Sequence, residues 1–125
     1  MKKQILDNIL KLHAMFLKGE KGGERANLSG VDLRGADLTG VDLTLANLTG
    51  ANLSGVNMSW TDLTGADLSQ ANLTGANLFK ADLSGAFLFK ADLSGADLTG
   101  VDLYGAILAK ADLTGANLTD TIFGR

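Results

Sequence analysis

Few side chains in this sequence can do chemistry, and those that can are arranged with unusual regularity. The chain has one histidine, His13, and no cysteine, so no histidine pair and no thiolate site can be assembled from it. Its remaining titratable resource is aspartate. Asp42, Asp62, Asp82 and Asp102 recur twenty residues apart, and Ile122 takes the next place in the series. Three more series share that spacing: Asp32, Asn52, Asn72, Asp92, Asp112; then Asp37, Asn57, Asn77, Asp97, Asn117; then Asn27, Asn47, Asp67, Phe87, Ile107. Evenly spaced carboxylates suit binding better than reaction. Catalysis needs unlike titratable groups converging in a concavity, and Ca²⁺ needs six to eight converging oxygens. Parallel columns on a convex body supply neither. Gly22-Gly23 follows helix-like sequence and not a strand, so it does not form a phosphate-binding loop. The expectation is a protein that is not an enzyme and that uses no metal and no cofactor.

The element that must position these residues is a repeat. From Ala26 to Asp120 the chain keeps a five-residue period, as in Ala26-Asn27-Leu28-Ser29-Gly30 and Val31-Asp32-Leu33-Arg34-Gly35, and Thr121-Ile122-Phe123-Gly124-Arg125 is a worn last copy. The central position, i, is Leu except at Met58 and Phe123; position i−2 is Ala, Val or Thr; position i−1 is Asp or Asn except at Phe87, Ile107 and Ile122. A period of five fits neither a helix nor a long flat strand. It fits a chain that turns a corner every fifth residue, with Gly at i+2 tolerating the positive φ of the turn. Four such sides close a square of twenty residues, and squares stack at roughly 4.8 Å. Residues 26–125 then predict an all-β solenoid of about five coils, a rod of about 24 Å at that spacing. Leu at i stacks along the axis, each burial contributing roughly 1.5–3 kcal/mol, while i−2 stays small because it shares the crowded interior.

Residues 1–25 are the second part. Lys2 to Lys18 reads as an amphipathic helix, with Ile5, Ile9, Leu12 and Phe16 on one edge of an apolar stripe and Leu6, Leu10, His13 and Leu17 on the other. Gly19 and Gly22-Gly23 form the stop and connector. The expectation is a cap over the open end of the stack, with His13 a half-buried helix residue; a membrane-surface or partner helix is the alternative. Lys2 and Lys3 precede Asp7, Asn8 and Lys11, which interrupt what would be a signal-peptide core. A cytoplasmic protein without membrane association is expected. In residues 1–25 six Lys and Arg outnumber three Asp and Glu, whereas the repeats hold eleven Asp against five Lys and Arg. That acidity argues against direct binding of nucleic acid, which needs clustered cations.

The unit Ala-(Asp/Asn)-Leu-x-x resembles the pentapeptide-repeat, or repeat-five-residue, family over Ala26–Arg125. The approach segment, His13 to Gly19 and Gly22 to Ala26, resembles a lead-in found in bacterial and phage members without assigned activity. The resemblance implies a right-handed quadrilateral β-helix. It also implies a possible partner, because some members resemble duplex DNA in size and charge and bind DNA gyrase or topoisomerase IV. Here the stripe Asp42, Asp62, Asp82, Asp102 would carry that mimicry of DNA toward a type II topoisomerase. The bland alternative is that Asp at i−1 serves solubility and local backbone hydrogen bonds.

Two other surfaces stand out. Phe87 and Ile107 break the polar rule in one column, with Phe89 and Ala109 beside them and Lys90 and Lys110 at the corner. Apolar residues grouped among charges mark a contact site, most simply a twofold homodimer patch; the alternative is drift at outward positions. The end carrying Ile122 and Phe123 is a second candidate for self-association. The functional expectation is a binding or scaffold module that self-associates, with the topoisomerase-directed DNA mimic and an idealised repeat without a ligand as alternatives.

Overall fold

The computed structural model describes every residue from Met1 to Arg125, and its geometry is set at the corners. The i+2 residue of each unit from Gly30 to Asp120 lies at positive φ. A four-residue turn closes over it, as where Ala36 N–H donates to the Leu33 carbonyl at 3.0 Å. Glycine was expected to hold this conformation, yet Leu45, Trp60, Gln70, Lys80, Lys90, Lys110 and Asp120 hold it too, at φ of 54° to 65°. The left-handed region costs an L-residue roughly 1–2 kcal/mol, so the stack above and below imposes the corner where the side chain would not choose it.

Between corners only one residue per unit is paired. Each i−1 residue forms a parallel bridge with the residue twenty further on, in four ladders that begin at Asn27, Asp32, Asp37 and Asp42. We number the corresponding faces 1 to 4 in that order. Leu53 N–H donates to Asn72 O at 2.7 Å, and Asn72 N–H returns to Ala51 O at 2.9 Å; this reciprocal pair repeats along the rod. With two of five residues in the turn, no side is long enough to become a multi-residue strand, so a β-solenoid exists here without extended strands.

The interior follows the expected assignment. Leu28 through Leu98 and Met58 at position i are fully buried, with the i−2 alanines from Ala46 to Ala96 at 0–1% exposure around them. Thr61 takes an i−2 place without an orphaned hydroxyl because its Oγ1 donates to Leu38 O at 2.7 Å. Burial fades toward the far end, where Leu118 and Phe123 are exposed.

The other end is covered by helix α1, Lys3–Leu17. No helix is long and apolar enough to cross a membrane. Helix α1 rests on Leu6, with Ile9 and Leu10 partly covered, while Ile5 and Phe16 on the opposite edge stay exposed. The connector folds back tightly: a Cβ at Gly23 would lie 2.3 Å from Phe16 N, so only glycine fits, and Glu24 N–H donates to Leu12 O. His13 differs from expectation. It is completely buried, its Nδ1 accepts the Ala26 N–H at 2.9 Å, and its Nε2 sits 3.0 Å from Thr44 O. Both bonds are made only by the neutral ring with the proton on Nε2. The single histidine therefore clamps the helix to the start and to the last side of the first coil.

Burial lowers the His13 pKa below its ordinary 6.5, with Arg25 adding to the effect and the Thr44 carbonyl and Asp42 opposing it. The unfolded chain takes up the proton first, so the stabilisation is complete above about pH 6.5 and drains away as pH falls below it. Thermal unfolding followed by circular dichroism should show that acid slope in the wild type. His13→Ala should lose roughly 2–4 kcal/mol at pH 8, having orphaned two backbone groups and opened a cavity, and should flatten the slope between pH 7 and pH 5.

Candidate interaction surfaces

The backbone of each coil leaves one amide per unit without a main-chain acceptor, that of residue i+1. The i−1 side chain supplies it. Asp62 Oδ1 accepts Thr64 N–H at 2.9 Å, Asn72 Oδ1 accepts Thr74 N–H at 3.0 Å, and the same bond forms at Asp or Asn 32, 52, 82, 92, 102 and 112. It recurs at Asn27, Asp37, Asp42, Asn47, Asn57, Asp67, Asn77, Asp97 and Asn117. Ser and Thr at i+1 add their hydroxyls, as in Ser94 Oγ to Asp92 Oδ1 at 2.6 Å. These donors favour the charged carboxylate. The Thr39 hydroxyl and amide hold Asp37 below the usual range, as Ser94 and Thr114 do for Asp92 and Asp112. At Asp82 burial pushes upward, but the Ser84 hydroxyl and amide, Thr64 and Arg125 outweigh it.

Face 4 carries the acidic stripe. Bridges join Asp42 to Asp62, Asp62 to Asp82, Asp82 to Asp102, and Asp102 to Ile122. Each carboxylate spends Oδ1 on its own cap, and Asp102 Oδ2 is also taken by the Arg125 guanidinium, which lies 4.7 Å from the Tyr104 ring centre. The outward oxygens of Asp42 and Asp62 stay uncommitted. No three His, Asp or Glu side chains are grouped to hold a metal ion.

Face 1 carries the apolar group. Phe87 and Ile107 are bridged directly and are 48% and 47% exposed. Phe89 and Ala109 line the next column, adjacent through Lys90 N–H to Ala109 O at 3.0 Å. Lys90 Nζ lies 5.2 Å over the Phe89 ring, leaving Lys110 with neither a ring nor a carboxylate partner. Because Phe and Ile cannot accept, the amides of Phe89 and Ala109 have no acceptor within the chain. Ile122 and Phe123 are exposed as well, but Ile122 continues the face 4 ladder, so the structure does not join them to Phe87 in one column.

Trp60 and Phe79, irregular outward positions in the sequence that carry less weight there than Phe87 and Ile107, form a cluster with Lys80. Trp60, 58% exposed, meets Phe79 edge-on at 6.1 Å, and Lys80 Nζ lies within 5.7 Å of both ring centres. The signal was available: Trp60 and Lys80 are corner residues twenty apart, and Phe79 immediately precedes Lys80. A groove of about 300 Å³ between helix α1 and the first coil has Leu6, Leu10 and Leu33 at its base. Its rim charges Lys3 and Arg34 are already paired with Asp7 and Asp32.

A family model for pentapeptide repeats matches with eight copies over residues 26–65, 57–95 and 88–125. The chain is similar to a pentapeptide-repeat protein of the Arabidopsis thaliana thylakoid lumen, at 35% identity over 77% of this chain and 63% of that one, with a TM-score of 0.48. It is similar to a pentapeptide-repeat protein of Nostoc PCC 7120, at 31% identity over 92% of this chain and 84% of that one, with a TM-score of 0.49. QnrB1, a plasmid-mediated fluoroquinolone resistance protein, aligns at 22% identity over 78% of this chain and 53% of its own, with a TM-score of 0.48. No curated protein matches.

The amide caps make a simple mutational contrast. Asn72→Ala should cost about 1 kcal/mol in urea unfolding, the ordinary value of one such hydrogen bond, whereas Asn72→Asp, which keeps the acceptor, should be close to neutral at pH 7. Because Asp37, Asp92 and Asp112 have depressed pKa values, their contribution is complete above about pH 4 and is lost as pH falls through the folded values. Replacing all three by Asn should shallow the decline in melting temperature below pH 4.

Proposed function

The chain belongs to the pentapeptide-repeat family, and from that premise we propose that it is a non-catalytic binding and scaffold module, a right-handed quadrilateral β-helix of about five coils that self-associates through face 1. The observation that carries this reading is the Phe87–Ile107 pair. It replaces a cap the fold uses at every Asp and Asn of position i−1, and it sets two half-exposed apolar side chains side by side with Lys90 and Lys110 at their edge. An apolar centre bordered by charge is the composition of a contact surface. Ile122 and Phe123 offer a second apolar group at the far end of the stack.

A second reading rests on face 4. Carboxylates in register at one per coil, roughly 4.8 Å apart, present a line of negative charge sparser than the roughly 3.4 Å of one DNA strand. On that reading the chain is a DNA mimic that binds a type II topoisomerase.

Sedimentation velocity across a concentration series decides the first reading. The wild type should form dimers, and Phe87→Asp combined with Ile107→Asp should give monomers with an unchanged circular dichroism spectrum; an unchanged mass would remove face 1 from the interface. For the second reading, the chain should inhibit DNA gyrase supercoiling, and changing Asp42, Asp62, Asp82 and Asp102 to Asn, which keeps every amide cap, should abolish that inhibition.

A further inference from the structure

Resting on the reading of face 1 as a self-contact, the geometry points to a specific register. We propose that two copies meet antiparallel with Phe87 on the twofold axis, so that Asp67 of each copy accepts from the uncapped Ala109 N–H and from Lys110 of the other. Asp67, Phe87 and Ile107 follow one another in consecutive bridges, so they stand at one common pitch along the rod. Turning a second copy end over end about Phe87 brings its Asp67 opposite Ile107, and brings its Ile107 opposite Asp67.

The groups so brought together are ones that find no partner within the monomer. Asp67 uses Oδ1 for the Ser69 amide at 3.0 Å, and its Oδ2 has no partner. Ala109 N–H has no acceptor because Ile107 stands where a carboxylate would. Lys110 has no counter-ion. In the fold's own terms, the other copy returns the missing acidic cap in trans, with a second donor from the ammonium group. Hydrogen bonds to an ionised acceptor are shorter and roughly twice as strong as neutral ones.

The neighbouring columns accept the same operation. In the corner column Gln70, Lys90 and Lys110, reversal about Lys90 sets neutral Gln70 against Lys110. The one like-charge meeting is Lys90 with its own copy, and that ammonium is drawn back over Phe89 at 5.2 Å. Phe87 and Phe89 meet their own counterparts at the centre. A parallel twofold, with the axis along the rod, would instead oppose Asp67 to Asp67 and leave Lys110 facing the Gly105 corner. Charge complementarity therefore selects the antiparallel pair.

The test is sedimentation equilibrium of the full chain with two conservative variants. Asp67→Asn keeps the Ser69 cap and removes the charge, and Lys110→Met keeps the side-chain length. Unchanged circular dichroism spectra establish that both variants are folded. The proposal expects each to raise the dimer dissociation constant about tenfold at low salt, and the double variant to fall well short of the product because the two groups act as one pair. A dimer indifferent to both changes would overturn this register while leaving self-association through face 1 in place. A wild type that stays monomeric throughout the concentration series would overturn both.

Discussion

A chain that bends at every fifth residue cannot pair all of its amides with its own main chain. The turn consumes one carbonyl, the ladders above and below consume the amides of i−1, i and i+2, and the amide of i+1 is left over. The acidic or amide side chain two residues earlier answers that need, and the rest of the molecule is arranged around the answer. Leu at i follows from the same bend, because the quarter turn that strands the amide also aims the central side chain at the axis. Small residues at i−2 follow in turn, since four leucines already fill the square.

This constraint changes what the charge of the protein means. Eleven of the chain's acidic residues lie in the repeats, and all of those except Asp120, a corner residue, occupy the capping position. Asp and Asn serve the amide equally well because the bond is made by Oδ1 in either case. The choice between them at one site is therefore free to follow surface needs. An unbroken run of Asp on face 4, where the other ladders mix Asp with Asn, is the part of the acidity that the fold does not dictate.

The square solenoid was legible in the sequence because one signal, the period, fixes the corner, the axis and the columns together. Folding the sequence at twenty residues per coil put Phe87 next to Ile107 and lined up Asp42, Asp62, Asp82 and Asp102, and the bridges join those same residues. Features that depend on contact across columns were harder to see. Trp60, Phe79 and Lys80 meet around a corner, where the reach of long side chains decides and the column assignment does not. His13 lies outside the repeat, and the helical stripe of Leu6, Leu10, His13 and Leu17 pointed to half burial, not to the complete burial the structure shows. Its role depends on two backbone groups, at Ala26 and Thr44, whose positions exist only after the first coil has closed. The non-glycine corners were likewise hidden, because local preference argues against left-handed Leu45 or Lys90 and only the stacked neighbours enforce it.

The same constraint ranks the irregular positions by the information they carry. A large side chain at i+1 displaces nothing the coil requires, as at Phe79, which keeps its amide cap from Asn77. A large apolar side chain at i−1 is different. Phe87 and Ile107 each forfeit a bond worth about 1 kcal/mol and leave a donor without a partner in the chain. Drift in a tolerant surface would scatter such losses, since each is independently unfavourable. Here two of the three fall in consecutive coils of one ladder, beside Lys110, which has neither a counter-ion nor an aromatic ring to lie over. Two forfeited caps and a cation without a carboxylate partner in one place are what supports reading face 1 as more than a greasy surface.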